Sequence, residues 1–450
     1  MSVHDDEQPG GKRPDEHSHR STAPDEQGFG LPRPSRTLTA LTSSALALPG
    51  IAGSARADGP IEKAQSSSSF SYYMEDNLSP GKFSGTGSRN RYEVYTFQTR
   101  FDVPTSERTD VGVEFLYEDM SGASPWFVTP DPNSGKPLQV MSGATIDDER
   151  VDLMTDIDFF VDNGKDSFRA GFSREKDYLS INGGLGTERS FFDKNTTFSF
   201  SAGFSHDWIE PTDANKFQTR PDDETKWAID LFAGLSQILT RSTIGQVTIN
   251  YKHSDGYLSD PYKAITDLAN TAVLSDERPD TKEQVSILFR LRQHIEPITA
   301  SVHADYRLYH DDWDITSHTF ELAWYQQITE WFRIIPSARY YSQSQADFYE
   351  TILPAGVAPS ERSSDFRLSP YGAISWRFKA EVELNDVAQY DPPGWLEAVG
   401  VTGGLDLVAA ASWERYLSDG DFALISVSDE DEAPGLVDFH VFAFTLTGRF

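Results

Sequence analysis

Beyond residue 57, apolar and polar residues alternate along the chain with period two. In "TTFSFSAGFSHDW", Phe198, Phe200, Ala202, Phe204 and Trp208 mark one face, and Ser199, Ser201, Gly203, Ser205 and Asp207 the other. "EQVSILFRLRQH" repeats the pattern, with Val285, Ile287, Phe289 and Leu291 against Ser286, Leu288, Arg290 and Arg292. So does "SVHADYRLYHDD", where Val302, Ala304, Tyr306 and Leu308 alternate with His303, Asp305, Arg307 and Tyr309. Alternation over such lengths predicts strands with one apolar and one polar face. Helical spacing is confined to Lys263–Leu274, inside a loop.

Apolar faces on nearly every strand suit either a β-sandwich or a transmembrane barrel. The strands are long, which favours tilted membrane strands over the usual five or six residues. Short connections ("TRST", "IEPI", "TEWF") alternate with long ones, such as "DPYKAITDLANTAVLSDERPDTK". Short periplasmic turns and long outer loops are the outer-membrane pattern. Tyr95, Trp227, Trp324, Trp376 and Trp413 are expected at the ends of the apolar faces, as interfacial girdles. The expected fold is therefore all-β, a transmembrane antiparallel up-and-down β-barrel.

The strands are placed at 68–75, 91–103, 111–118, 147–161, 167–177, 178–192, 195–208, 225–239, 243–258, 283–295, 298–311, 315–328, 331–347, 364–383, 400–416 and 437–450. That makes about sixteen, within a range of fourteen to eighteen, with both ends of the barrel on the periplasmic side. "NGGLGTE" in 178–192 is poor strand material, yet omitting it would put later loops on the wrong sides. Segment 384–399 is then a long periplasmic connection. The chain ends "FAFTLTGRF", a last strand with Phe442, Phe444, Leu446 and Phe450 toward lipid and Arg449 inward. A terminal aromatic on such a strand resembles the signal read by the barrel-assembly machinery.

Composition narrows the function. Acidic residues outnumber basic ones 70 to 39, a formal net charge of −31, in a chain of 450 residues. This argues against nucleic acid as a partner, since phosphate binding needs a basic patch. With no cysteine, there is no disulfide framework, thiolate metal site or cysteine nucleophile. Residues 1–32 are hydrophilic and expected to be disordered. Residues 33–57 read as a signal peptide: Arg33 and Arg36, a weakly apolar Leu38–Ala52, then Ala55-Arg56-Ala57 as cleavage site. The barrel domain is then 58–450, in the outer membrane.

The polar alternates should line the lumen. Early strands supply Glu114, Glu118, Asp152, Asp156 and Asp158; later ones supply Arg290, Arg292, Arg307, Arg333, Arg339, Arg367, Arg377 and Lys379. Acidic and basic walls facing each other across an aqueous lumen would orient polar solutes. The same charges could instead pair across strands and fill the interior. Asp147 and Asp148 in "DDER" and Asp311, Asp312 and Asp314 in "DDWD" are the hard-cation candidates. No cofactor is expected beyond divalent cations at the outer loops, where they could bridge lipopolysaccharide phosphates.

Enzyme motifs are missing: no G-x-S-x-G, H-E-x-x-H or phosphate loop occurs. Ser205, His206 and Asp207 are consecutive on a strand, so His206 faces away from its neighbours. A Ser/His pair on adjacent strands would have to use His303 or His318 with Ser301 or Ser317. The reading is a porin-like channel or transport component for small polar or charged solutes. A non-conducting adhesin or docking scaffold for periplasmic or surface partners is the alternative.

Several segments are similar to signatures of a bacterial outer-membrane β-barrel family filed under a domain of unknown function. They are "MSGATIDDER", "SREKDYLS", "GYLSDPYK", "RYYSQSQADFY" and "SSDFRLS", with "LTALTSSALALPG" and "FSYYMED" nearer the start. The resemblance implies an outer-membrane barrel from a Gram-negative bacterium, with no established activity or catalytic residues. It also hints at periplasmic redox or metal-handling partners. By the topology above, these segments gather at strand tops and outer loops.

Overall fold

The computed structural model describes residues 59–142, 146–217, 219–269, 272–356, 359–384, 406–425, 427 and 432–450. In chain order the strands begin β1 (Gln65–Glu75), β2 (Glu93–Ser106), β3 (Thr109–Gly122), β4 (Pro125–Pro130) and β5 (Pro137–Met141). Next come β6 (Ile146–Val161), β7 (Gly164–Glu175), β8 (Tyr178–Phe191), β9 (Thr196–Ile209), β10 (Glu224–Thr240) and β11 (Thr243–Gly256). Then follow β12 (Ala264–Asp267), β13 (Ala272–Ser275), β14 (Thr281–Ile295), β15 (Ala300–Asp311) and β16 (Thr316–Thr329). The last are β17 (Phe332–Gln343), β18 (Tyr371–Glu383), β19 (Asp406–Asp419) and β20 (Phe439–Arg449).

Sixteen of these close into one antiparallel barrel, and β4–β5 and β12–β13 form separate hairpins. The wall closes where β1 pairs with β20, Phe70 opposite Phe444 and Tyr72 opposite Phe442. Barrel strands run from 11 residues in β1 to 17 in β10, enough to span the hydrocarbon layer when tilted. Their outer face is apolar: Phe97, Phe168, Leu185, Phe200, Phe289 and Phe444 are all exposed. Lipid is the solvent that makes such a face favourable.

Both ends of the wall, Gln65 and Arg449, lie with the short turns; call this the terminal end. The long connections whose residues are described lie at the opposite, loop end, whereas β18 ends and β19 begins on the terminal side. Segment 178–192 forms β8 in full register with β7 and β9. Its glycines are tolerated because every backbone group is paired across both neighbours.

At the loop end the long connections fold over the mouth. Bridges join Asp267 to Leu353, Glu277 to Arg362 and Tyr349 to Ser363. Beneath them an apolar core joins Tyr73, Tyr92, Val94 and Met120 from the wall to Trp313, Phe348, Phe366 and Leu368. Each large side chain buried this way contributes ~1.5–3 kcal/mol. Apolar residues thus face outward along the wall, and at the mouth they also turn inward, where they seat this roof.

Three expectations change. Lys263–Leu274 contains the β12–β13 hairpin, not a helix. Its backbone is claimed by a neighbouring loop, with Leu353 donating to the Thr266 carbonyl at 2.9 Å, and tertiary pairing overrides local spacing. The strand placed at 364–383 begins at Tyr371; residues 364–370 belong to the roof. Trp324, Trp376 and Trp413 sit in mid-strand, and only Tyr95 and Trp227 lie near a loop end. The extension 1–32, the leader 33–57 and most of 384–399 lie outside the described residues, as does the start of the strand placed at 400–416.

Candidate functional site: the lumen and its roof

Inside the loop half of the barrel lies a cavity of about 1040 Å³. Glu114, Arg150, Asp152 and Asn182 line one side, Lys252, Arg307, Arg339 and Tyr341 the other, and Asp260, Tyr262 and Leu368 the roof. The period-two rule puts these wall residues inside, because their sequence neighbours carry the lipid-facing apolar groups.

The early wall is largely neutralised. Arg100 lies 2.7 Å from Asp102, 2.8 Å from Asp156 and 3.6 Å from Glu114. Arg150 reaches Asp152 at 2.5 Å and Glu118 at 3.5 Å. Asp158 is held by Lys165 at 2.9 Å and by the Ser167 hydroxyl at 2.6 Å. Room for the first bridge comes from Gly112, where a Cβ would stand 2.3 Å from the Arg100 guanidinium and 2.8 Å from Asp156. Sequence reasoning picked out the acids and missed Arg100, Arg150 and Lys165. The signal was present: Arg150 shares the parity of Asp152, Asp156 and Asp158.

The later wall is only partly neutralised. Asp305 takes a bidentate pair from Arg292 and lies 3.5 Å from Arg290. Arg377 approaches Glu321 at 3.5 Å and Glu414 at 4.0 Å, and Arg333 meets Glu381 at 3.0 Å. Lys379 pairs with Glu381 at 2.8 Å. Lys252, Arg307 and Arg339 make no hydrogen bond or ion pair with another described residue. Arg367 is not on the wall; it belongs to the roof.

The roof is held by buried charges. Arg367 contacts Asp365 and lies 2.8 Å from Asp260, while Arg278 lies 2.7 Å from Asp276 and 2.9 Å from Asp365. Lys263 is buried beside them, donates to the Pro125 carbonyl and lies 5.6 Å from the Phe366 ring centre. Burial alone would push the Asp365 carboxyl up, but Arg367, Lys263 and Arg278 hold it well below the usual carboxylate range. Burial pushes the Asp276 carboxyl up against the pull of Arg278, and pushes the Lys263 ammonium down to about 8. Asp260 and Lys263 come from "GYLSDPYK", Asp365 and Arg367 from "SSDFRLS", and Phe348 from "RYYSQSQADFY". These signature segments therefore meet in one place.

Among the described hard-cation candidates, Asp148 does not group with Asp311, Asp312 or Asp314. Asp311 accepts from Lys282 at 2.9 Å, from the Tyr309 hydroxyl at 2.7 Å and from the Ile315 backbone at 2.9 Å. Asp312 accepts from the Glu283 backbone, and Asp314 occupies a left-handed turn. Asp148 instead groups with Glu175 and Asp177, one oxygen of each within 4.8 Å of the others; Tyr262 donates to Asp177 there. The side chain of Asp147 lies outside the described residues.

No Ser/His pairing forms from the histidines considered. His303 faces the lumen against Tyr325, with ring centres 4.1 Å apart. His318 is on the lipid side, 2.9 Å from the Tyr306 hydroxyl. His206 packs on Trp208, while Asp207 turns inward to accept from Ser180 at 2.6 Å. The last strand presents Phe442, Phe444, Leu446 and Phe450 as exposed residues.

A closed antiparallel barrel with an apolar outer face and a polar, charged lumen is the architecture of outer-membrane barrel proteins. The family described as "Protein of unknown function (DUF3570)" matches residues 38–391, and the chain belongs to it. No curated protein matches it in sequence.

Among solved structures, the siderophore receptor PirA from Pseudomonas aeruginosa is 10% identical with a TM-score of 0.39; the match covers 79% of this chain and 56% of that one. The chain thus spans little more than half of that receptor. A bacterial polysaccharide outer membrane secretin is 9% identical, TM-score 0.43, with 86% and 98% covered. OccK3 (OpdO) from Pseudomonas aeruginosa is 10% identical, TM-score 0.39, with 86% and 94% covered.

Proposed function

We propose that the protein is a porin-like channel or transport component of the outer membrane for small polar or charged solutes, with its loop end closed by the roof. The observation that carries this reading is the 1040 Å³ cavity, polar on both walls and capped by loops rather than filled by side chains. Barrels of this strand number are wide enough for an aqueous path. Lys252, Arg307 and Arg339, which pair with no other described residue, would bias that path toward anions, because charges about 10 Å apart are only partly screened in physiological salt. Export through the leader 33–57 and insertion by the barrel-assembly machinery belong to the same reading.

Single-channel recording of the purified protein in planar bilayers tests it. Steady anion-selective steps support the channel. Silence in the wild type and in roof variants such as Asp365→Asn would remove it.

The docking-scaffold reading has one observation in its favour. The roof is packed as a core with fixed buried pairs, and parts of three signature segments converge there. A roof-specific partner recovered from a barrel that never conducts would favour it.

A further inference from the structure

Three rows of inward residues cross β14 to β18 on the later wall. The middle row reads Arg290, Asp305, Glu321, Arg339 and Ser375. The row toward the terminal end contains Arg292 and Arg377, and the row toward the loop end contains Arg307, Thr319 and Tyr341. By composition the middle row could neutralise itself, two bases against two acids. It does so only in part, at Arg290 and Asp305 3.5 Å apart, because Asp305 also takes a bidentate pair from Arg292 and Glu321 pairs with Arg377, both in the row toward the terminal end.

The consequence is a local shortage of counter-ions. Arg339 in the middle row and Arg307 in the row above are left without a hydrogen bond or ion pair to another described residue, and both line the cavity. Arg290 lies close by, its buried Nε making no hydrogen bond and standing 3.5 Å from Asp305. The charges acting on Arg307 are the like charges of Arg339 and Arg290 and, set against them, the opposite charges of Glu321 and Asp305. Holding guanidinium groups together in a partly dehydrated lumen is costly unless an anion sits among them. Guanidinium is also the side chain best shaped to hold carboxylate or phosphate through paired N–H donors.

We propose that Arg307 and Arg339, with the Thr319 hydroxyl between them on β16, form a binding site for a small organic oxyanion, a carboxylate or phosphate ester, inside the cavity. The assignment rests on the transport reading and names the solute class that such a path would hold. The volume suits it, since pockets for small organic ligands occupy about 300–1000 Å³. Tyr341 lies beside Thr319 in the same row and supplies an aromatic wall for the carbon skeleton. The site is an anion trap on an otherwise acidic protein, created by the downward pairing of its two nearest carboxylates.

Isothermal titration of the folded, detergent-solubilised full chain with succinate, and separately with inorganic phosphate, tests the site without requiring conduction. The wild type should bind at least one of them, more weakly as sodium chloride is raised. The Arg307→Gln/Arg339→Gln double variant should bind at least about tenfold more weakly, a loss near 1.4 kcal/mol. Arg307→Lys/Arg339→Lys should retain part of the affinity, and Arg108→Gln, on an exposed turn, all of it.

No heat for either anion with the wild type at about 10 mM, or equal affinity in the double Gln variant, overturns the proposal. The wild-type titration decides the matter even if the double variant does not fold. Bilayer recording separates the two readings. Binding by a barrel that never conducts keeps the site and removes transport; conduction without anion binding does the reverse.

Discussion

The guanidinium of Arg367 and the carboxylate of Asp260 meet at 2.8 Å across 107 positions of sequence. With Asp365, Arg278 and Asp276 they form a chain of buried ion pairs between the β11–β14 and β17–β18 connections. Removing one partner from such a set leaves an uncompensated buried charge, at a cost of about 3–5 kcal/mol. Asp365→Asn should therefore loosen the roof while leaving the barrel wall folded. The chain has no cysteine, so Ser363→Cys at a fully buried roof position supplies a single thiol to follow. Maleimide labelling of that thiol should be at least tenfold faster in the Asp365→Asn background. Equal rates would mean that the pairs do not hold the roof shut.

The same cluster sets a pH dependence. Asp365 has a depressed folded value, so its stabilisation is present above the ordinary Asp value of about 3.9 and is lost as pH falls below it. Asp276, shifted upward, opposes this in part, since its burial becomes easier once protonated. Lys263 acts at the other end: its burial cost is fully present below about 8 and shrinks as pH rises from there toward about 10.4. Labelling of the Ser363 position, normalised to unfolded protein, should thus be fastest below about pH 4 and slowest in mild alkali. Lys263→Met should abolish the alkaline change; a change that persists would assign it elsewhere.

Gly112 is where backbone chemistry serves the lumen. Gly112→Ala should displace Arg100 from Asp156 and cost roughly 1–3 kcal/mol, the range for losing a charged hydrogen bond. Urea midpoints of the folded barrel in detergent would show it. An unchanged midpoint would mean that the guanidinium swings aside without loss.

The final strand should matter more for assembly than for the finished barrel. Deleting Phe450, or writing Phe450→Asp, should lower the amount of heat-modifiable, protease-resistant barrel in cells. Purified and refolded in detergent, the same variant should approach wild-type stability, because among the described residues Phe450 contributes one main-chain bond, to Ala64. Normal cellular levels would count against a signal in this residue.

Much of the wall could be read from parity alone. Alternation fixes which residues face lipid, and up–down bookkeeping kept β8 despite Gly183, Gly184 and Gly186. What parity cannot supply is which inward charges bond to each other. Arg307 and Arg292 both face inward on adjoining strands, yet one makes no ion pair with another described residue and the other chelates Asp305; register and rotamer decide between them. The roof was out of reach for a related reason. Ala264–Asp267 is a strand because it pairs with Ala272–Ser275, and it is seated by Leu353, far along the chain, which bridges to Asp267. Asp148 illustrates the limit at a site: its acidic neighbours are Glu175 at the end of β7 and Asp177 in the turn that follows, not the aspartates richest in sequence.

The seam between β1 and β20 also governs how the molecule can come into being. Ser67 and Thr447 share a hydrogen bond at 3.1 Å although 380 positions separate them. No ribosome-bound or partly exported fragment can make that contact, and until it forms both edge strands remain open templates for pairing with other chains. Contacts of such sequence separation slow folding. The polypeptide must therefore be kept soluble and unpaired for the whole of its transit, and its long acidic connections supply like-charge repulsion during that interval.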